Sequence, residues 1–208
     1  MVEPLSNTDN SKVHLILGAA MKRFGYYGLA KTTMAEIASD VGLSKASLYY
    51  YFADKDALFR AVVKREQDGF FANVKDQVIE SEGAAGEKLE MYVEKRHAYF
   101  LNAFGNLGKI KMTMETIKPM LGDLLNNFFR SEVAVVAEIL QEGINNNEFR
   151  DIDVSEYADL FISSMNGLRS ITIKDKNSYQ LGQDDLDLIG KRIKVFSEIF
   201  ITGILNNR

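Results

Sequence analysis

The 208 residues contain no cysteine, which excludes disulfides and thiolate metal sites. Only two prolines occur, Pro4 and Pro119. A chain so poor in helix breakers, with apolar residues at regular spacing, is expected to be nearly all helical. Histidine is equally scarce, at His14 and His97, and neither belongs to an HExxH pattern. There is also no G-x-S-x-G and no phosphate-binding glycine loop. The segment DIDVS opens like a calcium loop, but Glu156 and Ile162 stand where such a loop needs Gly and Glu. We therefore expect no enzyme, no cofactor and no metal. No charge-free apolar run approaches membrane-spanning length, and MVEPLSNTDNSK lacks the basic-then-apolar order of a secretory signal. The expected location is the cytoplasm.

Hydrophobic residues make up 46% of the chain, ample for a real core. The net charge of −4 argues on its face against a nucleic-acid partner, but the charge is unevenly spread. Residues 1–65 carry +3 and the remainder −7. A basic head on an acidic body is the asymmetry expected where one end meets a polyanion. The division we expect is a head at residues 1–65 and a larger helical body at 66–208.

In the head, Asn10 or Ser11 can cap a helix carrying Val13, Ile16, Leu17, Ala20 and Phe24, which ends at FGYYG. Thr33-x-x-Glu36 reads as a capping box that opens a short helix, and Gly42 stops it. Ser44 caps a second helix and Asp54 a third. Two short helices joined by a glycine turn form a helix-turn-helix. Its small core asks for apolar Ile37, Val41, Leu43 and Leu48, a small Ala38 and a turning Gly42, all met in one register. At about 100° per residue, Leu48 faces inward with Phe52 beside it, and Tyr51 lies near the same seam. Lys45, Ala46, Ser47, Tyr49 and Tyr50 are left on the outer face. Small Ala46 and Ser47 let the backbone approach base edges in a major groove. Lys45 can donate to guanine or phosphate, and tyrosine hydroxyls to phosphate. Lys55 adds charge at the next helix N-terminus, a favourable phosphate site.

The stretch TTMAEIASDVGLSKASLYYYFADKDALF resembles the DNA-binding domain of the TetR family of transcriptional repressors. The shared pattern is Thr-Thr, then Ile-Ala, Gly-Leu-Ser-Lys, Leu-Tyr, Phe, and a Lys with an acid and Leu, over about residues 12–62. The resemblance implies that Thr33, Lys45, Ala46, Ser47, Tyr49, Tyr50 and Lys55 fall on DNA-contacting positions. Tyr51 stands where many members carry histidine, and Ala35 where many carry arginine, so an operator sequence does not transfer.

Beyond the head, helices are expected near 85–104, 107–118, 120–146, 153–174 and 184–206, with Pro119 as one of the breaks. The last two are apolar over more than one face. Two such helices from each of two chains would make a four-helix bundle, with Phe161, Ser164, Leu168, Ile189, Ile193, Phe196 and Phe200 at the interface. Ordinary burial within one chain is the alternative; symmetric half-sites and the resemblance favour the homodimer. The middle of the chain is rich in Met and aromatics. On residues alone these read as core, and His97 as a satisfied structural polar group. The TetR resemblance implies a ligand pocket instead, for which Tyr92, His97, Phe100, Phe104, Met112, Phe128, Phe161 and Met165 are the candidates. The resulting expectation is an all-α, ligand-responsive repressor that binds a palindromic operator on double-stranded DNA as a homodimer and is released by a small apolar or aromatic effector. The rival is a helical small-molecule-binding or catalytic protein whose head contacts another protein.

Overall fold

The computed structural model describes the backbone of residues 7–107, 114–173 and 182–206, and the side chains of 9–102, 120–173 and 182–206. In chain order the helices are α1 (Asn7–Tyr27), α2 (Met34–Asp40), α3 (Lys45–Tyr51), α4 (Lys55–Val74), α5 (Ala85–Leu107), α6 (Met114–Asn145), α7 (Val154–Ile173) and α8 (Gln183–Ile204). A π-helical turn, Lys75–Ile79, extends α4. Among the described residues there is no strand, only one antiparallel bridge between Phe149 and Leu205.

The chain divides into two compact units. The first holds the described residues of Met1–Asp68 and Asn102–Gly122; the second holds those of Gly69–Leu101 and Asp123–Arg208. In the first unit α1 packs on α2 and α2 on α3. Its core is Ile16, Ala20, Phe24, Ile37, Ala38, Leu48, Leu58, Phe59 and Val62, with Phe24 and Phe59 edge to face at 5.4 Å. Arg60 donates to the Met120 carbonyl, and Leu121 is buried, which ties the start of α6 to this unit.

The second unit is built around one cluster drawn from every helix it contains. Phe70 and Val74 come from α4, Leu89, Tyr92 and Val93 from α5, and Val136, Ile139 and Leu140 from α6. Phe161, Ile162 and Met165 of α7 and Ile189, Ile193, Ile201 and Ile204 of α8 complete it. Gly143 is where α6 meets the Phe149 ring so closely that a Cβ would overlap it.

Helix starts follow the chemistry read from the sequence. Thr33 and Glu36 make a reciprocal capping box. Ser44 accepts from the Ser47 amide at 3.0 Å, and Asp54 from the Ala57 amide at 2.7 Å. Asp153 accepts from the Glu156 amide at 3.1 Å, so DIDVS is a helix start. Gly42, at φ +68°, makes the turn between α2 and α3, and Gly28, at φ +83°, ends α1. Two boundaries differ from expectation. The first helix begins at Asn7, before Asn10 and Ser11. The backbone also stays helical through Pro119, which sits in the second turn of α6. The fixed φ of proline is helical there, and one missing amide donor is outweighed by the turns that follow.

Candidate functional site

The helix-turn-helix is held from inside by Ile37 and Leu48, both 0% exposed, and by Ala38 at 1%. Val41 and Leu43 are half-buried at its edge. With that seam inward, α3 turns Lys45, Ala46, Tyr49 and Tyr50 to solvent, and Ser47 is half-buried. Tyr50 is 77% exposed and Tyr49 42%. Such exposure gains little from the hydrophobic effect and leaves both rings accessible from outside the head. The third tyrosine behaves differently: Tyr51 is half-buried and donates to Asp9 at 3.1 Å. Burial, reinforced by Asp9, pushes its phenol above the ordinary value. The Lys45 ammonium lies 5.8 Å from the Tyr49 ring centroid, a cation–π pair that keeps both groups on the outer face.

Thr33 is exposed, with its side chain engaged by Glu36 at 2.7 Å. Lys55 sits at the first position of α4, where its ammonium donates to the carbonyls of Leu29 at 2.8 Å, Thr32 at 3.0 Å and Ala30 at 3.5 Å. Its charge thus fastens the turn before α2 to α4. Arg23 of α1 reaches the same region and binds Asp40 at 2.5 and 2.8 Å and Glu36 at 3.4 Å. The hydrogen bond to Arg23 holds the Asp40 carboxyl below its usual range, and the bonds from Thr33 do the same for Glu36. Sequence reading had named neither Arg23 nor Asp40, because a pair 17 residues apart has no local signature.

The expected pocket residues are distributed more widely. Tyr92 is fully buried, and its hydroxyl donates to Glu132 at 2.9 Å. Arg96 also binds Glu132, through Nε and, at 3.2 Å, through Nη2, and it donates to Asn166 at 2.9 Å. Glu132 is 2% exposed and Arg96 5%. Burial works against the Arg96 charge and Glu132 more than offsets it, so its pKa rises, while burial and Glu132 together raise that of Tyr92. Phe161 and Met165 are fully buried in the same unit. Phe128 stacks on Tyr99 at 5.5 Å and joins Phe70 and Phe71 in one aromatic group. Phe100 carries the guanidinium of Arg169 on its face at 4.1 Å. The side chains of Phe104 and Met112 lie outside the described residues. His97 differs from the satisfied polar group expected from the residues: among the described residues its buried Nδ1 has no hydrogen-bond partner. Its ring lies so close to Gly190 that a Cβ there would meet Nε2 at 2.7 Å. Burial lowers the His97 pKa, with Asp187 pulling the other way.

On α7 and α8, the expected interface residues split. Phe161 at 0%, Ile189 at 1% and Ile193 at 4% are core of their own chain. Ser164, Leu168, Phe196 and Phe200 are half-buried. The apolar side chains that face outward from these helices are Leu160, Ile171, Leu188, Val195 and Ile199. Periodicity revealed that each helix has more than one apolar face; packing assigned one of them to the core.

Residues 16–62 match the pattern of the tetR family of bacterial regulatory proteins. The crystal structure of a transcriptional regulator from Cytophaga hutchinsonii is similar along its whole length, with 38% identity, a TM-score of 0.86, and coverage of 94% of this chain and 99% of that one. The HTH-type transcriptional regulator RutR of Escherichia coli is 37% identical over 70 residues, 34% of this chain and 33% of RutR. The aligned segment thus spans a third of that relative's length. The fatty acid metabolism regulator protein of Bacillus subtilis is 22% identical over 193 residues, 92% of this chain and 94% of that protein. The chain belongs to the tetR family of bacterial regulatory proteins, which are helix-turn-helix transcriptional regulators.

Proposed function

We propose that this protein is a repressor that binds a palindromic operator as a homodimer and is released by a small effector held in its body. The observation that carries the reading is the outer face of α3, where Lys45, Ala46, Tyr49 and Tyr50 stand exposed around a fully apolar seam. In this reading α3 enters the major groove. Ala46 and Ser47 allow close approach, Lys45 reads a base or phosphate, and Tyr49, Tyr50 and Thr33 donate to the backbone. Lys55 acts mainly by holding the turn before α2, since its ammonium already serves three carbonyls. The protein's work is binding and release on DNA in the cytoplasm, without a catalytic step.

The second copy is proposed to cover the outward faces of α7 and α8, through Leu160, Leu188, Val195 and Ile199, with Leu168, Phe196 and Phe200 at the margin. Exposed aliphatic side chains on two adjacent, packed helices suit a four-helix interface. Effector binding in the body is proposed to favour a dimer whose heads no longer match successive major grooves. The change would travel along α4, one of the three helices, with α5 and α6, within which the chain passes from one unit to the other. Moving such a balance from mostly bound to mostly released takes a differential affinity of about 5.5 kcal/mol.

The test is selection of bound sequences from a random duplex pool with purified protein at near-physiological salt. One enriched inverted repeat is the expected result. If folded protein enriches nothing and its partner binding shows no steep salt dependence, the head serves another protein instead.

A further inference from the structure

We propose that Asp9 and Tyr51 are positioning residues for DNA reading, and that together they hold the Tyr50 ring in the orientation in which it meets the operator. The inference rests on the reading that the outer face of α3 contacts DNA, and it adds the start of α1 to the parts that serve that face. Asp9 lies in the first turn of α1 and Tyr51 at the last position of α3, both half-buried. The Tyr51 hydroxyl donates to an Asp9 carboxylate oxygen at 3.1 Å, across 42 residues of chain. The Tyr51 ring in turn meets the Tyr50 ring edge to face, with centroids 5.2 Å apart and planes at 88°. The relay thus runs from a carboxylate, through a hydroxyl and a ring, to the most exposed aromatic of α3.

Side chains one residue apart on a helix leave its axis about 100° apart and do not ordinarily face each other. Their rings touch only when the rotamers of both are set for it, and the bond to Asp9 selects that of Tyr51. A ring standing alone in solvent samples several rotamers and loses that freedom on binding; a ring already braced loses less. Edge-to-face contact is a favoured geometry for such bracing.

The charge of Asp9 points the same way. An acid held against α3, in the basic end of the chain, repels a polyanion and lowers DNA affinity unless it has a task within the head. The bond to Tyr51 is that task. Burial and Asp9 raise the Tyr51 phenol above its ordinary value, so it stays a donor throughout the neutral range.

The experiment uses the full chain and a duplex carrying the repeat that the parent protein enriches, with affinity read by fluorescence anisotropy and folding by thermal melting. Tyr51→Phe keeps the ring and removes only the donor. It is expected to bind about threefold to tenfold more weakly than the parent, the reach of one hydrogen bond. Asp9→Asn and Asp9→Ala both remove the charge, but only alanine removes the acceptor. Asp9→Ala is therefore expected to bind about threefold or more below Asp9→Asn. With Asp9→Ala present, Tyr51→Phe is expected to change nothing further, and with Tyr50→Ala present all these differences are expected to vanish. Should Asp9→Ala fail to fold, Tyr51→Phe with and without Tyr50→Ala carries the test alone. The proposal is overturned if Tyr51→Phe binds like the parent, if the two Asp9 variants bind alike, or if the differences persist in the Tyr50→Ala background. Persistence would mean that Asp9 and Tyr51 serve the fold of the head and not the Tyr50 ring. Tyr50→Ala alone separates the two readings. Unchanged affinity removes the α3 contact and this proposal with it, whereas weakened affinity with silent Asp9 and Tyr51 changes sinks only the positioning.

Discussion

The helix-turn-helix and the body place their polar residues on opposite sides of their cores. In the head the seam between α2 and α3 is purely apolar, and Lys45, Tyr49 and Tyr50 stand outside it. In the body the seam between α5, α6 and α7 contains Tyr92, Arg96 and Glu132, while the outer faces of α7 and α8 carry Leu160, Val195 and Ile199. A surface made of donors suits a rigid polyanion that stays outside the protein. The interior charges are paired with one another, Arg96 with Glu132 and Lys88 with Glu142, and the apolar side chains are the ones left outside. The same two ingredients, helices and amphipathic stripes, are thus turned opposite ways in the two units.

The largest expected effect breaks this contrast at the body. Glu132→Ala leaves Arg96 buried without its counter-charge and should cost about 3–5 kcal/mol. Urea unfolding measures it, and a loss near zero would mean the interior charges are solvated after all. The head's counterpart is Leu48→Ala, which opens a cavity in an apolar seam at a cost of about 2–5 kcal/mol. Hydrogen exchange should show that loss concentrated in α2 and α3, because the body's core contains none of those residues.

Smaller in stability but not in function is Tyr50→Ala. At 77% exposure its removal should shift unfolding by no more than about 0.5 kcal/mol. Operator affinity, followed by fluorescence anisotropy, should fall by about 1–3 kcal/mol. If stability fell as much as affinity, Tyr50 would belong to the fold and the head would lose its outward-facing character.

A pH series gives the finest separation. Burial holds the His97 pKa below 6.5, against the pull of Asp187, so the unfolded chain takes up the proton first. This contribution is therefore complete above pH 6.5 and is lost as pH falls through the lower folded value. In the head, Arg23 and Thr33 hold the Asp40 and Glu36 carboxyls below 3.8 and 4.5, so their contribution is complete above those values and fails only in stronger acid. Denaturation midpoints should first decline in the range set by His97, and His97→Gln should remove that early decline. Asp40→Asn should alter only the acid limb.

Much of the head could be read directly. Thr33 with Glu36, Ser44, Asp54 and Gly42 act within four residues of themselves, and short-range chemistry of that kind is written locally. The split among Tyr49, Tyr50 and Tyr51 followed from helical periodicity once Leu48 faced inward. The body was less readable. Arg96 and Glu132 sit on amphipathic helices where a charged residue ordinarily means surface, and Arg96 meets Glu132 and Asn166 from 36 and 70 residues away. Phe161, Ile189 and Ile193 looked like interface because α7 and α8 each present apolar residues on two sides.

By itself, then, the sequence determined where the two helices of the helix-turn-helix start and stop, their register and the family to which the chain belongs. These depend on caps, turns and periodicity, all short-range. Only the tertiary structure decided which apolar face of α7 and α8 is core, that Lys55 fastens a turn, and that Arg96 and Glu132 meet inside the body. Those outcomes depend on which distant helix each side chain meets, because burial and charge pairing are properties of the packed neighbours and not of the residue that carries them.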